Sequence, residues 1–498
     1  MKHFSYLELE RRHRRINLLG ESLAVLHWDT ATVMPAGGAA TRAEQLAEMQ
    51  AVLHGLKTEA DMGDIIENAE AEGQELNDWQ RANLREIARE WRKAKAVPED
   101  LVVAVSRACS ACESIWREAR ANDDFLAVKS SLQEVLDRTR EAGQAKADAL
   151  GLTVYDALLD DYEPGGRSAE IDRIFGELQQ FLPEFLGEAL DLQASRPVPN
   201  MPDGPFAIED QKKLGERLMS AFGFDFEHGR LDISLHPFCG GTPEDVRITT
   251  RYDEYDFTSS LMGVLHETGH AMYERALPKA WRCQPVGSAL GMSFHESQSL
   301  LIEMQVCRSL PFIGWAAPIM REMMEGSGPA WEVENLYRLF TRVKPDFIRV
   351  DADEVTYPAH VILRYQLERA LLDENLLLSE LPAAWNDGMK DLLGVAPKTD
   401  REGCLQDVHW YDGAWGYFPT YTLGAMTAAQ LFKAACESDK DIPAGIRKGD
   451  FRPLMGWLGE NVHSKGRLVS SPDLLKAATG QPLKTEVFMN HLRCRYLA

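Results

Sequence analysis

His266, Glu267 and His270 stand in the order His-Glu-x-x-His, inside Leu261-Met-Gly-Val-Leu-His-Glu-Thr-Gly-His-Ala-Met-Tyr-Glu274. On a helix, a spacing of four puts both imidazoles on one face, where they can share a metal ion. Glu267 lies beside them, close enough to move the proton of a reacting water without being a ligand. This is a zinc site in outline. With 13 histidines in 498 residues, a chance match to the pattern has a probability on the order of a few per cent, so a third ligand is needed.

Gly291-Met-Ser-Phe-His-Glu-Ser-Gln-Ser-Leu-Leu-Ile-Glu-Met304 opens a second helix and carries Glu296. A ligand from a helix packed across the first can complete a tetrahedron that no third position on the first helix reaches with comparable geometry. Two other readings use the same residues. Ser293-Phe-His-Glu296 is a capping box, in which Glu296 only satisfies a helix N-terminus, and His295 also has ligand chemistry. The residues by themselves leave these open. Gly263 and Gly269 each weaken the first helix by about 1 kcal/mol against alanine, so close approach of another backbone, of substrate or of a packed helix must compensate.

Three later clusters carry groups that amide hydrolysis uses. Ile348-Arg-Val-Asp-Ala-Asp353 holds an arginine among carboxylates, Gly403-Cys-Leu-Gln-Asp-Val-His-Trp410 a histidine, and Gly416-Tyr-Phe-Pro-Thr-Tyr-Thr-Leu-Gly424 two tyrosines. A developing oxyanion needs N–H or O–H donors, and a guanidinium is the best grip on a terminal carboxylate. Taken singly, each cluster reads equally as a structural ion pair or a satisfied core hydrogen bond.

The elements that would position these groups are mostly helices. Residues 5 to about 190 are rich in Ala, Leu, Glu, Arg and Gln, with apolar residues recurring at three and four. Trp28-Asp29-Thr-Ala-Thr-Val-Met34-Pro35-Ala-Gly37-Gly38 predicts a loop that breaks the first helix until about Thr41, with the indole as a buried anchor. The proline-rich stretch Gln193 to Phe206 predicts an exposed connection. Leu231–Leu235 and Val246–Tyr252 alternate at period two and are expected to pair, either as a structural hairpin or as an edge that holds an extended substrate; a turn-forming insert, His236-Pro-Phe-Cys-Gly-Gly241-Thr-Pro, lies between them. From 255 onward the pattern is helical again, punctuated at Pro278, Pro311, Gly326 to Pro329, Pro358, Pro382 and Pro397.

Bulk composition narrows the classes. A length prior alone gives roughly two to four domains. The net charge of −23 would repel nucleic acid and anionic membranes. The N-terminus lacks an apolar run of signal-peptide length. The uncharged run Gly413 to Phe432 contains Pro419 and several hydroxyls, and reads as buried protein rather than a membrane span. Eight scattered cysteines fit a reducing compartment, hence the cytoplasm, and the pair Cys109 and Cys112 reads as helix packing rather than redox or metal chemistry.

Together, His236-Pro-Phe238, Asp245-Val-Arg-Ile-Thr249, His266-Glu-Thr-Gly-His270, His295-Glu-Ser-Gln298, Ile348-Arg-Val-Asp-Ala-Asp353 and Gly403-Cys-Leu-Gln-Asp-Val-His-Trp410 mark a resemblance. The chain is similar, over essentially its whole length, to the Taq-type or thermostable metallocarboxypeptidases. The resemblance implies a mainly helical gluzincin with a small sheet beside the metal helix and a long substrate groove. It implies one domain over 1–498, with a helical subdomain 1–192, a connection 193–206 and a catalytic part 207–498. It also implies a homodimer that removes C-terminal residues from peptides with broad preference, using one Zn²⁺ per chain, or Co²⁺ or another divalent ion. In that family the glutamate matching Glu296 is the third ligand beside His266 and His270, and Glu267 is the general base. By analogy, His409 and Tyr421 stabilise the oxyanion, with Tyr417 as fallback. Arg349 is expected to hold the substrate carboxylate, against a rival ion pair with Asp351 or Asp353. Alternatives are an oligopeptidase or dipeptidyl carboxypeptidase on the same fold and, in another class, an inactive peptide-binding scaffold.

Overall fold

The computed structural model describes residues 4–234 and 236–498. Leu235, the last residue of the first expected strand, and residues 1–3, where an export signal would begin, lie outside them. The chain is 69% helix and 3% strand, the mainly α architecture that the apolar spacing implies. Nine helices precede the sheet among the described residues: α1 (Phe4–Thr32), α2 (Ala39–Lys57), α3 (Met62–Ala71), α4 (Asp78–Ala96), α5 (Glu99–Asn122), α6 (Phe125–Leu150), α7 (Val154–Leu159), α8 (Ser168–Ala194) and α9 (Ile208–Ala221). After the sheet come α10 (Phe257–Ala276), α11 (Met292–Leu300), α12 (Leu310–Met323), α13 (Val333–Phe340), α14 (Tyr357–Leu372), α15 (Leu381–Leu393), α16 (Pro419–Ser438), α17 (Asp441–Ile446), α18 (Arg452–Asn461), α19 (Ser471–Thr479) and α20 (Thr485–Tyr496).

The expected loop at Trp28 is mostly helix. α1 continues to Thr32, and only Pro35, which lacks an N–H and disfavours helix in the residue before it, ends the run. Trp28 is nevertheless a buried anchor: the guanidinium carbons of Arg230 and Arg247 lie 5.1 and 4.3 Å from its ring centroid, joining α1 to the sheet. The connection is mostly exposed, as expected, and is tied down at two points. Asn200 donates its N–H to Asn335 Oδ1 at 2.8 Å and accepts from Asn335 Nδ2 at 2.9 Å, and Phe206 is buried. One apolar core extends across this connection, from Cys109, Cys112 and Trp116 in α5 to Tyr496 in α20. Cys109 and Cys112 are free thiols inside it, pushed up by burial to about 11 and about 12, in keeping with packing rather than chemistry. Residues 413–432 also enter this core through α16, and no helix among the described residues is long and apolar enough to cross a membrane.

Three strands form the sheet: β1 (Gly229–Ile233), β2 (Cys239–Thr242) and β3 (Asp245–Thr250), in the order β1-β3-β2. The two expected strands do pair, but in parallel, with Leu231 opposite Ile248, so they are not a hairpin. The insert expected to be only a turn supplies β2, which runs antiparallel to β3 with Cys239 also opposite Ile248. Gly241, at φ +85°, makes this possible, because a Cβ there would lie 2.1 Å from the Asp245 carbonyl oxygen. Leu231, Val246 and Ile248 pack on Val264 and Ala271 of α10, fixing one side of that helix.

The other side of α10 meets α11. A Cβ on Gly269 would fall 2.4 Å from the Gln298 carbonyl oxygen and 2.5 Å from Ser299 Cα, whereas one on Gly263 would meet only Thr250 Oγ1, at 3.9 Å. Gly269 is therefore demanded by the helix crossing, and Gly263 is not. Gly269→Ala is expected to destabilise the protein by about 1–3 kcal/mol through overpacking, and Gly263→Ala to be neutral or to add up to about 1 kcal/mol. Chemical denaturation of the two variants checks this; equal effects would mean the crossing tolerates a methyl group.

Candidate metal centre

Asp256 opens α10 by accepting hydrogen bonds from the N–H groups of Thr258 and Ser259 at 2.9 and 3.4 Å, so the helix that carries His266, Glu267 and His270 starts from a defined point. α11 begins differently from the expected capping box. Its cap comes from outside the helix: Glu163 Oε2 accepts from Ser293 N at 3.1 Å and from the Ser293 hydroxyl, and Tyr162 O accepts from Met292 N at 2.7 Å. Glu296 is thereby released from capping, and it points at the two histidines.

Glu296 Oε1 lies 3.7 Å from His266 Nε2, and Glu296 Oε2 lies 3.5 Å from His270 Nε2. One ligand atom from each of the three residues falls within 4.8 Å of the others. Tetrahedral donors about 2.1 Å from one ion are separated by roughly 3.4 Å, so two nitrogens and one oxygen at these spacings fit a single divalent cation. Each histidine's other nitrogen is already engaged: His266 Nδ1 lies 2.9 Å from Glu303 Oε2, and His270 Nδ1 lies 2.6 Å from His295 Nδ1. His295 thus stands behind His270 rather than among the metal-facing groups. Its Nε2 lies 2.9 Å from Glu274 Oε1.

Glu267 is buried at 7% exposure, with no hydrogen bond from the described residues on its carboxylate. Burial pushes its carboxyl up, His266 opposes this and Glu296 adds to it, giving a value of about 7. That is where a general base works best near neutral pH.

Glu303 reaches His266 because α11 widens into a π-turn over Leu301–Cys307. Arg308 donates to the other oxygen of Glu303 at 2.7 Å and, against the effect of burial, holds it below the usual carboxylate range. The last helix secures the turn: Arg495 donates to the Met304 carbonyl oxygen, and to that of Gln305 at 3.2 Å. Buried Glu354 holds α20 in place, accepting from Arg495 at 2.9 Å and Tyr496 at 3.1 Å, with His491 Nε2 at 2.7 Å.

α16 brings the remaining expected groups. A Cβ on Gly424 would lie 2.8 Å from Glu296 Cβ, so α16 rides directly on the ligand-bearing turn of α11. Tyr421, three residues earlier, shares that face. Its hydroxyl lies 3.1 Å from His409 Nε2, while the Tyr417 ring stands 5.2 Å from that of Tyr421. Burial, reinforced by the Arg349 cation, lowers His409 to about 3, and burial raises Tyr421 to about 12. Near neutral pH both are therefore uncharged hydrogen-bond groups.

Arg349 has a different ion-pair partner from those expected. It is 5% exposed, and its Nε and Nη2 both donate to Asp407 Oδ1, at 3.0 and 2.8 Å. Its ion pair is thus with Asp407, not with Asp351 or Asp353; Asp353 instead accepts from the N–H groups of Val355 and Thr356. Arg364 donates to the second oxygen of Asp407 at 2.6 Å. Its Nη1 donates to the Tyr357 hydroxyl at 3.3 Å, so three of the five N–H groups of this guanidinium are engaged.

The sequence reading missed Glu303, Glu274, Asp407 and Arg364. The first three lie inside or beside the stretches singled out, and Asp407 is two residues from His409. Their roles depend on partners in other elements, which spacing along the chain does not reveal.

Two histidines one turn apart, a carboxylate from a crossing helix and an unengaged glutamate between the histidines are the groups that a metal-dependent peptidase site requires. The family model for the carboxypeptidase Taq (M32) metallopeptidases matches residues 8–496. The chain is 38% identical to thermostable carboxypeptidase 1 of Thermus thermophilus over 99% of this chain and 98% of that one, and 33% identical to carboxypeptidase 1 of Bacillus subtilis over 97% and 96%. The solved structure of Trypanosoma cruzi metallocarboxypeptidase 1 superposes with a TM-score of 0.97 at 41% identity, covering 99% of both chains. The chain belongs to the carboxypeptidase Taq (M32) family and is a metallocarboxypeptidase, a hydrolase that uses a divalent metal ion.

Asp407 gives this site a calculable acid response. Burial opposes its charge, but Arg349 and Arg364 outweigh burial and keep it ionised well below the usual carboxylate range. A depressed folded value adds stability that is present above the unfolded value of about 3.9 and is lost as pH falls below it. Asp407→Asn should destabilise by about 3–5 kcal/mol near neutral pH, by unpairing buried cations. It should also lose less further stability than the parent between about pH 5 and about pH 3. Melting temperatures across that range test the claim, and parallel losses in the two proteins would remove Asp407 from the acid response.

Proposed function

We propose that this enzyme removes single residues from the free C-termini of peptides, with broad preference, using one Zn²⁺ held by His266, His270 and Glu296. The observation that carries the reading is the convergence of both Nε2 atoms and the Glu296 carboxylate around one point, with Glu267 beside it and otherwise unengaged. The N,N,O donor set suits zinc and accepts Co²⁺. An ion bound there supplies Lewis acidity, polarising the scissile carbonyl and acidifying water.

The chain's own groups do the rest. Glu267 takes the proton of the attacking water and returns it to the leaving nitrogen. Tyr421 and His409 donate hydrogen bonds to the oxyanion, and the link between them favours Tyr421 over Tyr417 for that part. Asp407 and Arg349 hold this pair from behind, and Arg349 supports the donors rather than gripping the terminal carboxylate. An edge strand of the small sheet would hold the peptide by its backbone, in keeping with a broad preference for side chains. We further propose that the chain works as one domain, as a homodimer and in the cytoplasm, where its eight free cysteines stay reduced.

A time course on one unblocked peptide, followed by mass spectrometry with and without chelator, tests the reading. A ladder of single-residue losses that chelator abolishes is expected; loss of dipeptides or internal cuts would overturn it. Glu267→Gln should retain zinc and lose roughly 10²–10⁴-fold in turnover. Tyr421→Phe should lose about 10²–10³-fold, with Tyr417→Phe losing less; the reverse order would exchange their roles. Arg349→Ala should lose activity equally on free and amidated C-termini, and a selective loss on free ones would restore it as the carboxylate anchor.

A further inference from the structure

His295 precedes the third proposed ligand by one residue, and its imidazole is held at both ends: Nδ1 is 2.6 Å from His270 Nδ1, and Nε2 is 2.9 Å from Glu274 Oε1. The two rings are tilted by 38°, with centroids 4.6 Å apart. If His270 offers the Nε2 lone pair to the ion, its single proton must sit on Nδ1. That proton points at His295 Nδ1, which therefore carries a lone pair. The His295 proton is then on Nε2, directed at the Glu274 carboxylate. Each choice forces the next, and the chain closes on an acceptor that has no proton to give.

We propose that His295 is a positioning residue of the metal centre, an imidazole relay that connects the Glu274 carboxylate to His270 and locks His270 with Nε2 turned toward the ion. The inference rests on the ligand set proposed above. It gives the two histidines unlike supports: His266 has a carboxylate directly behind it, Glu303, whereas His270 has one only through a second ring. The first turn of α11 thus holds His270 from two sides, through Glu296 at the metal-facing edge and His295 at the opposite edge. Glu274 lies one turn beyond His270 on α10, so His295 bridges two residues of one helix from its neighbour.

The test is the zinc dissociation constant, measured by chelator competition, with apo-protein melting as a control for folding. His295→Leu should weaken zinc binding roughly 10–100-fold, as loss of such a partner does. His295→Gln should recover most of it, because an amide oxygen can accept from His270 while the amide nitrogen donates to Glu274. Glu274→Gln keeps an acceptor but removes the charge, and should give a smaller loss without disturbing packing if His295→Leu fails to fold. Parental affinity in both His295→Leu and Glu274→Gln would overturn the relay. So would failure of His295→Gln to improve on His295→Leu, or loss of zinc in His295→Leu as complete as in His270→Ala, which would make His295 a ligand. Retention of zinc by His270→Ala and Glu296→Ala would instead refute the ligand set itself.

Discussion

α11 is crossed closely by α10 on one side and by α16 on the other, and the geometry of the proposed site depends on those two contacts. Gly269 lets the backbone of α11 lie against α10, and Gly424 lets α16 lie against Glu296. A helix normally keeps its neighbour 8–10 Å away by side-chain bulk, a separation that would draw the carboxylate away from the imidazoles. The glycines weaken two helices locally, and the tight crossing sets Glu296 3.5 Å from His270 and Tyr421 within reach of His409. The sheet supports the arrangement from the far side, so α10 has no room to retreat.

Burying so many charges near one another creates the second constraint. An unpaired ion in the interior is strongly destabilising, and here three buried carboxylates have opposite charges as neighbours: Asp407 between Arg349 and Arg364, Glu303 against Arg308, Glu354 against Arg495. These pairs also do directional work. Glu303 lies against His266, and burial, reinforced by the two guanidiniums around Asp407, keeps His409 neutral, the state in which the proposed mechanism would use it as a donor. Stability and chemistry are drawn from the same contacts.

Much of the site was legible because its chemistry is local. His266, Glu267 and His270 needed only helical periodicity, and the family resemblance pointed to Glu296 across the intervening turn. Where the reading failed, the deciding partner was remote in sequence or lay in an unforeseen element. The capping box at Ser293 gave way because Glu163, 130 residues away, takes that role. The rival ion pair of Arg349 was sought at Asp351 or Asp353 because its actual partner, Asp407, is 58 residues away. The strand pair was read as a possible hairpin because a short run containing two glycines, too weak in β-propensity to recognise as β2, completes the sheet. The loop at Trp28 was drawn too early because a proline acts on its own position and the one before it, and α1 runs on to Thr32, three residues short of Pro35.

The π-turn that presents Glu303 to His266 has a temporal side. Its carbonyl groups are tied by Arg495, and Arg495 is itself held by Glu354 more than 100 positions earlier in the chain. A ribosome delivers α20 after every other helix described here, so a growing chain already contains His266 and His270 while the turn behind His266 still lacks its fastening. That turn takes its final form only once α20 has docked, which makes its local shape a late and long-range property of the fold.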